Sequence, residues 1–167
     1  MKRFSTILVL IFITSEIYSQ NYWEYPVVPG TKEWKELKTL SEIIAVQQVP
    51  ESVLNNMTTE EVFQAWLDLP GRMEMLAFNT MQSGFEVTKK RYNVIPELLN
   101  RTDAGPVILT MYLETYIPEI KSAWSSIEKG KYITDFGFTE FLLSQPEVLS
   151  TLSYEQKKDF IRHTNSV

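Results

Sequence analysis

The 167 residues contain no cysteine and a single histidine, and both scarcities exclude chemistry. Without a thiol there is no disulfide, no thiolate nucleophile, no zinc–thiolate site and no lipid-bearing cysteine. With His163 alone, a multi-histidine metal site cannot be assembled, and no serine or aspartate is marked in the sequence as its triad partner. Near the end of the last predicted helix its imidazolium would face the negative end of the helix dipole, so a capping or solvated role is expected. Glycine is sparse too: Gly71, Gly84, Gly105, Gly130 and Gly137 are scattered punctuation, not a phosphate-cradling loop. Paired carboxylates occur only at Glu60-Glu61, where helix-start roles account for both. The sequence therefore marks no catalytic residue, no metal ligand and no cofactor site. No stretch sustains period-two alternation, so strands are not required anywhere.

What is present is a folding composition, 44% hydrophobic and 13% aromatic, on a chain long enough for one domain with a sizeable core. Residues 1–19 read as a secretory signal peptide: Lys2-Arg3 form a basic start, Ile7 to Thr14 an apolar run too short to span a bilayer, and Ser19 a small residue before Gln20. Removing Lys2, Arg3 and Glu16 leaves 14 basic and 20 acidic residues, a net of −6. That balance speaks against a nucleic-acid partner and against an anionic membrane surface. The expected location is secreted or periplasmic, with no membrane span in the mature chain.

Residues 20–30, QNYWEYPVVPG, are aromatic and broken by Pro26, Pro29 and Gly30. They predict an extended arm that packs back over the core, or alternatively a sugar- or peptide-stacking platform. Residues 31–167 then predict a single all-α domain. Thr31 is the first plausible N-cap and Ser41 the next, with a break near Lys38 to Ser41. The strongest signals lie in VPESVLNNMTTEEVFQAWLDL, residues 49–69. Pro50 suits a helix first turn, Thr58 and Glu61 form a capping box, and Met57 and Val62 stand where a hydrophobic staple would clamp the entry. Val62, Phe63, Trp66 and Leu67 make one apolar stripe, and Leu69-Pro70-Gly71 ends it.

Further on, Met73, Leu76, Ala77 and Met81 predict a packed stripe, alternatively an adaptable Met-rich binding surface, ending or kinking at Gly84. A helix from Asp103 carries Val107, Ile108, Met111 and Tyr112; Pro118 opens another with Ile120, Ala123, Trp124 and Ile127, stopped by Gly130. A turn at Asp135 to Gly137 precedes a helix through Phe141, Leu142 and Leu143, and a last helix runs from Tyr154 to about His163. Two Asn-x-Thr sequons, at Asn56 and Asn100, fall where Asn and Thr are wanted as helix caps.

The Pro50 grammar recurs. QPEVLSTLSYEQKKDFI around Pro146 aligns with it once Ser52 is treated as an insertion, pairing Thr58 with Ser153 and Val62-Phe63 with Lys157-Lys158. IPELLNRTDAG repeats the opening at Pro96, with Asp103 as the next N-cap. The spacing approaches the period of roughly 40–47 residues of two- and three-helix repeats. Two architectures follow: an irregular helical repeat of HEAT-like helix pairs, or an orthogonal helical bundle. Over about residues 29–116 the chain also resembles a family of exported all-α proteins of Bacteroidota type. PGTKEW, VPESVLNNMTTEEV and FNTMQSGFEVTKKRYNVIPELLNRTDAG carry the likeness. It implies export and an all-α fold, and brings no catalytic residues; a Cys- and His-containing C-terminal region found in some relatives has no counterpart in these residues.

These readings favour an exported, non-enzymatic helical module that binds another protein or a cell-envelope component, with oligomeric state open. The alternative is a glycan hydrolase built from two carboxyls on distant helices, facing each other across a cleft.

Overall fold

The computed structural model describes residues 22–115 and 124–164. Within them the fold is all-α, with ten α-helices, one 3₁₀ helix and no strand. The chain order is α1 (Lys32–Glu36), α2 (Leu40–Ala45), α3 (Glu51–Leu54), α4 (Thr59–Leu67), the 3₁₀ helix Pro70–Ala77, α5 (Met81–Arg91), α6 (Val94–Asn100), α7 (Ala104–Thr115), α8 (Ser126–Leu143), α9 (Pro146–Thr151) and α10 (Tyr154–Thr164). No helix among the described residues is long and apolar enough to cross a membrane.

Local sequence explains where most of these helices begin. Thr58 accepts from the Glu61 N–H at 3.2 Å while the Glu61 carboxylate accepts from the Thr58 N–H at 2.7 Å, so the box closes in both directions. Behind it Met57 and Val62 are both buried, as a staple requires. The same box is built by Ser125 with Glu128 and by Ser153 with Gln156. α2 starts one cap earlier than Ser41: Thr39 holds the Glu42 N–H, and two backbone N–H groups hold the Glu42 carboxylate, pulling its pKa below the usual carboxylate value.

The two longest copies of the Pro-Glu grammar share one local order of elements. In each a short helix opens at its proline, a break follows, and a longer helix starts at a boxed Thr58 or Ser153. The middle copy departs, because Pro96 is the third residue of α6 and does not open it. Asn93 precedes that helix without capping it. Its side chain instead pairs with the backbone of Val49 in both directions, at 2.7 and 3.1 Å, tying the start of α6 to the segment before α3.

Three glycines behave differently from the expectation. Gly84 does not end a helix; it is buried inside α5, at the place where α5 crosses the 3₁₀ helix so closely that a Cβ would sit 2.6 Å from Met75 Cα. Gly130 and Gly137 are interior to α8, an 18-residue helix with neither a stop at the first nor a turn at Asp135 to Gly137. Each costs about 1 kcal/mol of helix propensity. The box at Ser125 and the buried anchors Phe138, Thr139, Leu142 and Leu143 hold the helix through them. Ile127, expected in an apolar stripe, is 84% exposed, while Pro118, Ile120 and Ala123 lie outside the described residues. The Met73 stripe fails as well: Pro70 starts a 3₁₀ helix whose three-residue period buries Met75 and leaves Met73 and Leu76 about half exposed.

The core is one cluster. α4 packs on α6 and α7, α7 on α8, α9 and α10, and α6 on α9. The arm lies back on this core: Tyr25 is buried, donates to the Ala65 carbonyl at 3.1 Å, and meets Trp23 edge-on. Burial drives its phenol pKa far upward.

Candidate functional site

α4, α7 and α8 meet along a cleft of about 200 Å³. Each helix contributes residues at helical spacing: Phe63 and Leu67 from α4, Met111, Tyr112 and Thr115 from α7, and Tyr132, Asp135, Phe136 and Thr139 from α8. The α8 set falls at i, i+3, i+4 and i+7, a single face.

The wall is a ladder of rings. Tyr112 stacks on Phe136 with centroids 4.5 Å apart, Phe136 on Tyr132 at 5.7 Å, and Tyr132 meets Trp124 edge-on at 5.4 Å. On its other side Tyr112 takes the edges of Phe160 at 5.9 Å and His163 at 5.3 Å. Its hydroxyl donates to Glu140 at 2.7 Å, which fixes the ring.

The floor carries one carboxylate. Asp135 accepts from Arg72 Nη2 on one oxygen and from Lys131 Nζ on the other, both at 2.6 Å. Arg72 is only 7% exposed and lies over Phe138 at 4.7 Å and Trp66 at 5.6 Å. Its Nε and Nη1, and the indole nitrogen of Trp66, are buried without acceptors among the described residues. Ring faces and one carboxylate are thus what hold this cation in the interior. With both oxygens already committed to cations, Asp135 is poorly placed to act as a base. Thr115 and Thr139 hydroxyls donate to backbone carbonyls of their own helices and the Gln64 amide nitrogen donates to Asp68, so the apolar rings are most of what a visitor meets.

The residues singled out in the sequence lie elsewhere. His163 is half-buried against Tyr112, so it packs on a ring instead of only capping its helix. Glu61 closes the α4 box, and Glu60 accepts from the Tyr22 hydroxyl at 3.0 Å. In the first sequon both polar side chains are engaged, Asn56 with the Ser52 carbonyl and Thr58 as the cap. Among the described residues no group of three or more acidic or histidine side chains could hold a metal ion. One open groove of about 340 Å³ does collect two carboxyls from separate helices, Glu60 of α4 and Glu114 of α7, around Thr110. The cleft residues Tyr132, Asp135 and Phe136 were obscured in sequence by Gly130 and Gly137, which read as breaks. Their spacing with Thr139 was the signal.

No family model, no curated protein and no solved structure matches the chain. The fold and cleft define its class: an all-α protein with a small aromatic cleft between three helices.

Proposed function

We propose that the protein is an exported, non-enzymatic helical module that binds another protein by receiving one apolar or aromatic side chain in the α4/α7/α8 cleft. The observation that carries this is the match of size and lining. A cleft of about 200 Å³ falls below the roughly 300–1,000 Å³ of cofactor and small-molecule sites. It suits a single anchoring side chain, the unit from which interface hot spots are built. A polar ligand would gain little there, because the one carboxylate is already neutralised by Arg72 and Lys131. Export supports an envelope or extracellular partner, and N-terminal sequencing of secreted material is expected to begin at or near Gln20. The negative net charge supports a protein partner over nucleic acid.

The test compares the mature chain with Thr115→Trp, which fills the cleft from its mouth, as baits for an envelope extract. A protein retained by the first and lost by the second supports the reading; identical captures overturn it. The groove holding Glu60 and Glu114 favours a second reading, a glycan hydrolase. Release of reducing sugar from envelope glycans, abolished by Glu60→Gln and by Glu114→Gln, would establish that activity instead.

A further inference from the structure

A second apolar groove lies at the C-terminal end, lined by Ser144, Leu149, Ser150, Lys157, Phe160 and Ile161. It is larger, about 600 Å³, and open along its length; Ile161 is 57% exposed. Charges around it are matched with one exception. Glu147 pairs with Lys89 at 3.5 Å, Glu155 with Lys158 at 3.6 Å, and Asp159 with Arg162 at 3.5 Å. Among the described residues Lys157 is left with no carboxylate within ion-pair distance, on a chain whose net charge is −5. Both serine hydroxyls donate to backbone carbonyls of their own turns, so they do not make the groove polar.

The first helix pair shows what such a place can hold. Val62 and Phe63 of α4, which align with Lys157 and Lys158, are buried, and α4 packs on α6 and α7. At the corresponding position of α10 the described chain supplies no further helix pair. The volume alone would also admit a small apolar ligand, but an open trough between helices with Ile161 left 57% exposed suits the apolar face of a helix.

We infer that the α9/α10 groove docks an amphipathic helix of a partner protein, its apolar face on Leu149, Phe160 and Ile161 and an acidic side chain on Lys157. This rests on the protein-binding reading but uses a different face, so the two fail separately: Thr115→Trp does not touch the groove. The test titrates the mature chain with two synthetic amphipathic helical peptides sharing a leucine face, one flanked by glutamates and one by lysines. The acidic peptide is expected to bind one to one and more tightly. Lys157→Glu should weaken it about fivefold and improve the lysine peptide, as reversing a rim charge does. Ile161→Asp should abolish both, while Lys158→Glu, whose native charge is already paired, should change little. Binding by neither peptide, equal binding by both, or a preference unaltered by Lys157→Glu overturns the inference. So does one-to-one uptake of oleate that the acidic peptide cannot displace.

Discussion

Gly84→Ala and Gly137→Ala are the same change in the interior of two helices, and the structure gives them opposite signs. An added methyl at Gly137 meets nothing within 4 Å, so the helix-propensity gain stands alone, about 0.5–1 kcal/mol of stabilisation. At Gly84 the methyl would lie 2.6 Å from Met75 Cα and 2.8 Å from its carbonyl carbon. These are backbone atoms of the 3₁₀ helix, so relief requires α5 and that helix to separate by roughly an ångström, opening contacts around Met75 and Phe85, both fully buried. Overpacking of this kind costs about 1–3 kcal/mol, and an unyielding backbone places it at the upper end. Subtracting the propensity gain of about 1 kcal/mol leaves about 2 kcal/mol of destabilisation. For a chain of this size that lowers the melting temperature by about 4–8 °C. Urea and thermal denaturation of the two variants beside wild type measure both effects. Stabilisation by Gly84→Ala would show that α5 does not approach the 3₁₀ helix this closely.

Three other outcomes are expected. Thr58→Ala removes the acceptor of the α4 capping box and should lower stability by about 0.5–2 kcal/mol, read as a shift of the urea midpoint. Asp135→Asn strips the buried Arg72 of its carboxylate and should cost about 3 kcal/mol; joint replacement with Arg72→Met should recover much of the loss, which a double-mutant cycle in urea will register. Burial raises the phenol pKa of Tyr25, and burial together with the bond to Glu74 raises that of Tyr92. The unfolded phenols ionise first, so this stability is fully present below about pH 10 and falls as pH rises past it. Denaturation midpoints between pH 8 and 11.5 should show the fall, and Tyr25→Phe with Tyr92→Phe should flatten it.

What the sequence determined alone is what short-range chemistry controls. A capping box spans four residues and closes its own hydrogen bonds, so Thr58 with Glu61 and Ser153 with Gln156 were legible without knowledge of neighbours. The same holds for the stop after Leu67, the last helix from Tyr154, and the all-α class that follows from helical periodicity. The docking of the arm through Tyr25 was legible in part, because Tyr22, Trp23 and Tyr25 carry more apolar area than an extended solvent-facing segment retains. Glycine and proline were the ambiguous residues, since the same local permissiveness serves opposite ends. Gly84 admits a crossing helix, Gly130 and Gly137 are tolerated because the buried run Phe138 to Leu143 anchors α8 in the core, and Pro96 sits within a first turn opened two residues earlier. The cleft was decided only by tertiary structure. Its rings come from α4, α7 and α8, and Asp135 is neutralised by Arg72, 63 residues away. The spacing of Tyr132, Asp135, Phe136 and Thr139 marks a face of α8 but not what it meets; that is set by how the apolar stripes of α4, α7 and α8 bury one another most completely.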